Sequence, residues 1–186
     1  MKIGIVPGAM KPYHAGHHYL VESALQECDM VTILTTRKSR KGISGDSMYN
    51  IWLNYIIPHL QEEYGEKIKV QFVVSPIRTV YEDFIERIEA EGPDGHSYMI
   101  YGGTEDNNRF QSKNLVQKYP VAAEHITNVA ESRAGKFQRG VGKSPMAKGE
   151  WIRNSLETND EKRFNSMMPA FLKPVANVVM QMLKIS

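Results

Sequence analysis

Residues 2–35 have the sequence KIGIVPGAMKPYHAGHHYLVESALQECDMVTILT, and this stretch decides the fold. Its apolar run Lys2–Pro7 predicts a short buried strand, residues 16–27 predict a helix with one apolar face, and Met30–Thr35 predict a second strand. Because only a short turn follows the helix, the unit favours parallel strands joined by a right-handed crossover. The string His14-Ala15-Gly16-His17 falls where the first helix begins.

The same alternation continues along the chain. Further strands are expected at 68–74, 98–101 and 125–129, and further helices at 47–57, 80–91 and 105–118. The first of these helices is given a cap at Asp46 and a kink or stop at Pro58. After the last strand, Ser144 and Pro145 indicate a helix start, and short helices are expected at 161–168 and 174–184. The pattern predicts an α/β fold: a Rossmann-like, doubly wound parallel sheet of about five strands with C-terminal helices.

Length and composition favour one ordinary domain. The chain has 186 residues, of which 41% are hydrophobic, so residues 1–186 are expected to form a single unit. Residues 1–130 would be its α/β core, and 131–186 a basic loop with C-terminal helices. No apolar run approaches the roughly 18 residues of a membrane helix, and the single cysteine, Cys28, is compatible with a reducing compartment. A soluble, cytoplasmic protein is expected.

The basic residues are unevenly placed, although the net charge is only +2. One cluster lies at 37–41, and a second runs from Arg133 to Arg153 with Glu150 as its one acid. Such clusters are most often solvated loops, but both lie beside expected strand ends, where a parallel sheet binds ligands. They therefore favour phosphate binding.

The loop and helix start after the first strand carry the clearest chemistry. Two histidines three residues apart at a helix start lie on one side, where helical N–H groups favour an anion. Gly16 between them would let a phosphate approach the backbone, and imidazoles can stabilise charge on a phosphate under attack. No carboxylate or cysteine lies nearby in sequence to complete a zinc site, so no metal ligand is assigned. His18 is expected to be structural.

Residues 8–18, GAMKPYHAGHH, resemble the H-x-G-H signature of the nucleotidylyltransferase superfamily. Their spelling is most similar to nicotinamide mononucleotide adenylyltransferases of the archaeal and bifunctional bacterial kinds. The resemblance implies that His14 and His17 are catalytic and hold the triphosphate of ATP or CTP. Phosphate-loop contacts are expected from four further residues and the glycine of the motif: Pro7, Gly8, Ala9, Lys11 and Gly16.

The family's second signature, I-S-x-T-x-x-R, should lie around residues 146–153, MAKGEWIR. Arg153 matches its arginine, which the resemblance assigns to the triphosphate. The hydroxyl positions depart from the pattern, because residues 147–150 contain neither serine nor threonine. Backbone N–H groups near Gly149, together with Lys143, Ser144 or Lys148, are candidate replacements.

Other candidates carry weaker signals. Gly102 and Gly103 follow a predicted strand and could let a base or ribose lie on the backbone, although a plain turn is equally open, and Asp106 opens the next expected helix. Arg37 closes the second strand and is the candidate for an acceptor phosphate. Trp52 could stack on an acceptor ring, or it could be a core residue.

These features predict an enzyme that transfers a nucleotidyl group from a triphosphate to a phosphomonoester and releases pyrophosphate. ATP and nicotinamide mononucleotide are the first choices, so the reaction would belong to NAD biosynthesis. A cytidylyltransferase acting on a small phosphorylated alcohol, and a non-catalytic nucleotide-sensing or RNA-binding protein, remain as alternatives. The resemblance implies Mg²⁺ held mainly through triphosphate oxygens. No membrane partner is expected. A nucleic acid partner is not expected on the leading interpretation. The chain could form a homo-oligomer.

Overall fold

The computed structural model describes residues 1–103, 107–132 and 146–184. Within them a sheet of five parallel strands forms the centre of the fold. The strands are β1 (Lys2–Pro7), β2 (Met30–Thr35), β3 (Ile68–Phe72), β4 (Ser97–Ile100) and β5 (Ile126–Asn128). The α/β class and the parallel five-stranded sheet are therefore confirmed.

The strand order is β3-β2-β1-β4-β5, so the chain winds outward from β1 in one direction and then in the other. The direction reverses between β1 and β4, whose carboxyl ends lie side by side. In open α/β sheets this reversal opens a crevice in which ligands bind. The loops after β1 and β4 are thus the expected ligand-binding loops.

Apolar layers cover both faces of the sheet. Successive side chains of a strand face opposite ways, and Ile5 and Val6 of β1 accordingly belong to two different buried clusters. The Val6 cluster includes residues of α1 (Ala15–Glu27), of α2 (residues 45–64) and of the C-terminal helices. The Ile5 cluster includes residues of α3 (residues 76–91) and of the segment 110–126. The fold is therefore doubly wound, as predicted.

The helix α2 is longer than predicted at both ends. Its cap is Ser44, whose hydroxyl accepts the N–H of Ser47 at 3.2 Å, and not Asp46. The helix also continues past Pro58 through a π turn at Trp52–Ile56 and a final segment Ile57–Tyr64. Pro58 lies in the first turn of that segment, where a missing N–H is tolerated. Of the predicted kink or stop at Pro58, the stop was therefore wrong, because the helix continues to Tyr64.

The helix α3 begins before the predicted position. Ser75 caps it by accepting the N–H of Arg78 at 3.3 Å, and Pro76 occupies the first turn. A π-helical segment, Val80–Ile85, lies in its middle, and Gly92 ends the helix with a positive φ of 88°. The expected helix 80–91 is therefore the second part of a longer one.

The expected helix 105–118 is broken. A 3₁₀ turn, Asn108–Phe110, is followed by an extended Gln111 and then by α4 (Ser112–Lys118). Asn107 explains the break, because its amide group donates to the carbonyl of Ile100 and to the side chain of Asn128 instead of facing solvent on a helix. Two short helices were not predicted: α5 (Pro120–Ala123) and α6 (Val129–Ser132).

The C-terminal part adds three helices among the described residues: α7 (Gly149–Glu157), α8 (Glu161–Ser166) and α9 (Ala176–Lys184). Pro174, predicted to start the last helix, lies in a 3₁₀ segment, Ala170–Val175, that precedes it. The predicted helix start at Ser144 and Pro145 lies outside the described residues. In the part of the chain that the structure describes, every helix is too short or too polar to span a bilayer.

Candidate active site

The first functional loop lies where the sheet reverses direction. Pro7 ends β1, and the N–H of Gly8 donates to the carbonyl of Leu34 at the end of β2, at 2.9 Å. The chain then passes Ala9 and reaches His14, which caps α1. The structure therefore places the whole H-x-G-H string at the carboxyl edge of the central strand, as the sequence predicted.

His14 and His17 lie against each other at the start of α1. Their ring centroids are 3.8 Å apart, and the planes are inclined by 32°. The His14 Nδ1 accepts the N–H of Gly16 at 2.9 Å, and the His17 Nδ1 accepts the N–H of His14 at 3.2 Å. The two side chains together form a reciprocal capping box, a role usually taken by Ser or Thr with Glu.

These hydrogen bonds determine where each imidazole carries its proton. A nitrogen that accepts a backbone N–H has no proton of its own, so each neutral ring is protonated at Nε2. Burial, and then the charge of Arg153, lowers the pKa of His14 to about 4. Burial, and then His14, holds the pKa of His17 well below its ordinary range. At neutral pH the pair thus offers two neutral Nε2–H donors.

Gly16 is needed for the histidine arrangement itself. A Cβ at this position would lie 2.7 Å from Cε1 and 2.9 Å from Nδ1 of His14, which is closer than real Cβ contacts allow. The N–H of Gly16 is also occupied by that ring. The expectation that Gly16 opens the backbone to a phosphate is corrected: the space above it holds the His14 imidazole.

Arg153 reaches the same place from the other end of the chain. Its Nη1 donates to the carbonyl of Lys11 at 3.2 Å, and its charge acts on His14. A Cβ on Gly149 would lie 2.9 Å from Nη1, so this glycine makes room for the guanidinium. Among the described residues no carboxylate lies within 4.0 Å of Arg153. The predicted trio of His14, His17 and Arg153 is brought together.

The helix α7 begins at Gly149, the glycine that makes room for the Arg153 guanidinium. Lys148 is its N-terminal cap residue, but no side chain accepts from the first turn. The Lys148 ammonium is exposed and lies 5.0 Å from the centroid of the Trp151 ring. An open groove of about 330 Å³ borders Arg153 on this helix and includes Trp151, Asn154 and Arg163. Lys143, Ser144 and the basic loop around them lie outside the described residues.

Lys11 is buried, only 4% exposed, which the sequence did not indicate. Its Nζ donates to the carbonyl of Ala9 at 3.0 Å and to the carbonyl of Thr36 at 2.5 Å. Burial, and then the charge of Arg40, lowers its pKa to about 8. The side chain therefore joins the loop after β1 to the loop after β2.

The two glycines after β4 have different surroundings. A Cβ on Gly102 would lie 2.1 Å from Oδ1 of Asn107, so the Asn107 carboxamide fills the space next to it. Gly103 is exposed, and its carbonyl accepts the N–H of Asn107 at 2.9 Å. The expectation that a base or ribose lies on Gly102 is corrected, because that surface is covered. Asp106 lies outside the described residues.

Arg37 and Trp52, the two acceptor candidates, have different surroundings. The Arg37 side chain is 54% exposed, with its guanidinium 3.8 Å from the Tyr49 ring centroid and 3.5 Å from a carboxylate oxygen of Asp46. Tyr49 was not predicted as a site residue, although it lies one helical turn before Trp52. Arg37 is thus an accessible cation on an aromatic support.

Trp52 is 1% exposed, and its ring packs edge-on against Tyr13 (5.1 Å between centroids) and Phe72 (6.1 Å). It therefore offers no face to an acceptor ring. The acceptor-stacking interpretation is corrected to a core residue.

Buried side chains support the histidine pair from behind. The Tyr13 ring stacks on His17 at 5.8 Å, and its hydroxyl lies 2.7 Å from Nδ1 of His18. The other ring nitrogen of His18 lies 3.2 Å from the carboxylate of Glu22. Both nitrogens of His18 are thus engaged away from the pair, which agrees with the structural role predicted for it.

Two solved structures are similar to this chain, and the first of them supports the fold. A nicotinic acid mononucleotide adenylyltransferase from Plasmodium falciparum, complexed with APC, aligns with a TM-score of 0.55 at 11% identity, over 100% of this chain and 99% of that one. A Vibrio parahaemolyticus protein described as a nicotinate-nucleotide adenylyltransferase aligns with a TM-score of 0.47 at 16% identity, over 96% and 98%. Neither protein-family models nor curated protein sequences gave a match.

Proposed function

We propose that this chain is a nucleotidylyltransferase that uses ATP to adenylylate a phosphomonoester and releases pyrophosphate. The observation that carries the proposal is the pair of His14 and His17, 3.8 Å apart and each with Nδ1 bound to a backbone N–H. Two neutral Nε2–H donors held together at a helix start suit the non-bridging oxygens of a phosphate.

The chemistry requires no protein nucleophile. A phosphate oxygen of the acceptor forms the new bond to the α-phosphorus of the triphosphate. The bond from that phosphorus to the α,β-bridging oxygen breaks, and pyrophosphate leaves with its electron pair. Such reactions depend on positioning and on neutralising the oxygens around phosphorus.

Each residue then has a defined task. His14 and His17 donate to phosphate oxygens at the reacting centre and stabilise the charge that develops there. Arg153, which has no carboxylate within 4.0 Å among the described residues, would hold the leaving pyrophosphate together with the uncapped start of α7. Lys148 would add a point charge at the same end. Arg37, supported by Tyr49, would bind the acceptor phosphate.

The triphosphate is proposed to bring Mg²⁺ with it. Among the described residues no group of three or more His, Cys, Asp or Glu side chains could hold a metal ion. The donors at the histidine pair are the two imidazoles and the Arg153 guanidinium, which suit phosphate oxygens and not a hard cation. The residues therefore fit a Mg²⁺ ion carried by substrate oxygens, where it would neutralise charge on the triphosphate.

Nicotinamide mononucleotide is the first choice of acceptor, from the spelling of the first motif. Nicotinic acid mononucleotide is the close alternative, because the Plasmodium falciparum structure is named for that substrate. Both acceptors have one phosphomonoester, for which the exposed Arg37 is suited. A cytidylyltransferase acting on a small phosphorylated alcohol remains the alternative of the same reaction class.

A non-catalytic nucleotide sensor is the second candidate. It is favoured by the second motif, in which Lys148 occupies the cap position before α7 and no side chain accepts from the first turn of that helix. Such a protein would bind triphosphate without releasing pyrophosphate.

One assay separates these functions. Pyrophosphate release is measured with each of four nucleoside triphosphates against both mononucleotides, phosphocholine and glycerol 3-phosphate, with Mg²⁺ present. Release with ATP and a mononucleotide is expected. His17→Ala should lower the rate of release at least about a hundredfold, and His125→Ala, which removes a histidine outside the motif, should leave it unchanged. Triphosphate binding without release under any combination would contradict the enzyme proposal and favour the sensor.

A further inference from the structure

Lys11 is a buried cation that holds two functional loops together. Its ammonium donates to the carbonyl of Ala9, in the loop after β1, and to the carbonyl of Thr36, in the loop after β2. Among the described residues no carboxylate lies within 4.0 Å of it. A lysine is rarely buried without an acid, because desolvation of its charge is costly. The free-energy cost of burying this charge indicates that Lys11 has a role where the loops after β1 and β2 meet.

Thr36 connects the junction to a third loop. Its hydroxyl donates to the carbonyl of Val74, after β3, at 3.4 Å, and accepts the N–H of Lys38 at 3.2 Å. The neighbouring Thr35 hydroxyl donates to the same Ala9 carbonyl as Lys11, at 3.2 Å. The position of Thr36 is therefore set by contacts from three strand ends, and the Lys11 ammonium makes the shortest of them.

The residue after Thr36 is Arg37, the proposed ligand of the acceptor phosphate. The Arg37 guanidinium contacts the Tyr49 ring and the Asp46 carboxylate. The backbone position of Arg37, however, depends on that of Thr36, the residue before it. At the other end of Lys11, the backbone carbonyl accepts from Arg153. Lys11 thus contacts Arg153, which is proposed to bind the leaving pyrophosphate, and also the loop that carries Arg37, which is proposed to bind the acceptor phosphate.

We infer that Lys11 is a positioning residue that sets the acceptor-binding loop, residues 36–45, relative to the histidine pair. The ammonium holds Thr36 against the loop after β1, so the acceptor phosphate on Arg37 is presented to the α-phosphorus in line with the leaving group. This inference rests on the proposed function for its substrates. The loop coupling itself does not depend on it.

The kinetic test compares Lys11→Met, Lys11→Arg and Lys69→Met in the full chain. Lys69 is an exposed lysine on β3 and serves as the matched control. For Lys11→Met we expect the KM for nicotinamide mononucleotide to rise at least about tenfold, whereas the KM for ATP changes less than about threefold. Lys11→Arg, which keeps a charged donor, should recover part of the acceptor affinity. Equal increases in both KM values, or no increase, would overturn the inference.

A second measurement does not require turnover. Amide hydrogen exchange is followed by mass spectrometry in the same three variants and the parent. In Lys11→Met we expect faster exchange in the peptides that cover 36–45, where the N–H groups of Lys38 and Gly45 are bonded to side chains of the same loop. Exchange in α9 should be unchanged. Unaltered exchange at 36–45 would overturn the coupling even if the parent enzyme proved inactive, and inactivity of the parent with altered exchange would instead contradict the proposed function.

Discussion

The His17 imidazole accepts the backbone N–H of His14 through Nδ1, at 3.2 Å, and the centroids of the two imidazole rings lie 3.8 Å apart. The hydrogen bond also fixes the proton of His17 on Nε2. The two histidines are therefore one unit: each is a helix cap residue and a donor whose tautomer is set by the backbone. Loss of either one should disturb both functions.

His17→Ala should lower kcat by at least about a hundredfold, because one preorganised donor to a charge-developing oxygen is typically worth about 3 kcal/mol. His14→Ala should have a similar effect, and the double variant should lose less than the product of the two, since both serve one transition state. Steady-state kinetics with circular dichroism as a folding check would test this. A folded His17→Ala with parental turnover would remove the histidine from the mechanism.

Stability should fall in mild acid because of His14. Its pKa is about 4 in the folded protein, against an ordinary value of 6.5, so the unfolded chain binds the proton first as the pH decreases. The contribution of neutral His14 is present above pH 6.5 and is lost as the pH falls toward 4, by about 3 kcal/mol at 1.4 kcal/mol for each pH unit. Urea unfolding at pH 4.5 and 7 should show a smaller difference in His14→Ala than in the parent or in His125→Ala. Equal differences in all three would contradict the assignment.

Gly16→Ala should reduce activity through the His14 ring, because the added Cβ would lie 2.7 Å from Cε1. We expect kcat to fall at least about tenfold as the ring is displaced from its donor geometry. A double-mutant cycle tests the mechanism: in a His14→Ala background the ring is gone, so Gly16→Ala should cost little more. Additive losses would show that the methyl group acts on something other than His14.

The sequence predicted β1 and β2 with the observed bounds, because each is an apolar run ended by a turn. Prediction failed where the tertiary structure overrides a local signal. Pro58 marks a stop in most helices, but here a π turn precedes it and the helix continues. The break around Asn107 depends on Ile100 and Asn128, which are distant in sequence and could not be seen from the local pattern.

The site shows the same division. The resemblance of the two motifs predicted that His14, His17 and Arg153 lie at one site, and the structure brings the three side chains together. The burial of Lys11 could not be predicted, since a lysine in a loop is usually solvated and its acceptors here are main-chain carbonyls without a sequence signature. Likewise, helical periodicity alone could not decide whether Trp52 faces the core or a ligand.

Trp52 variants should change stability and leave acceptor affinity alone. The ring is 1% exposed, and its Nε1 is buried with no hydrogen-bond partner among the described residues. Trp52→Ala should cost about 3–5 kcal/mol through the cavity it leaves. Trp52→Phe should cost less, because it also removes an unsatisfied donor. Chemical unfolding and the acceptor KM of Trp52→Phe are the measurements, and a tenfold increase in that KM would restore the stacking role.

The second motif makes separable predictions for its two cations. The Arg153 guanidinium donates to the Lys11 carbonyl and its charge acts on His14, whereas the Lys148 ammonium is exposed and lies 5.0 Å from the centroid of the Trp151 ring. A planar, positioned fork can hold two phosphate oxygens, and a charge-assisted hydrogen bond contributes about 1.5–3 kcal/mol. Arg153→Ala should therefore weaken ATP binding at least about tenfold, at low and moderate salt alike.

Lys148→Ala should weaken ATP binding only severalfold, and the effect should shrink as salt increases, because an exposed point charge is screened within about 10 Å at 0.1 M ionic strength. Titration calorimetry at 20 and 200 mM NaCl would measure both, with Lys162→Ala as an exposed lysine control on α8. Introducing Ser at Lys148 should recover part of the lost affinity by capping α7, which has no side-chain cap in the parent. If Lys148→Ala binds ATP and turns over like the parent at low salt, the lysine has no part in the site. The replacement for the missing hydroxyl contacts must then come from elsewhere, with the basic residues between Arg133 and Lys143 as the next candidates.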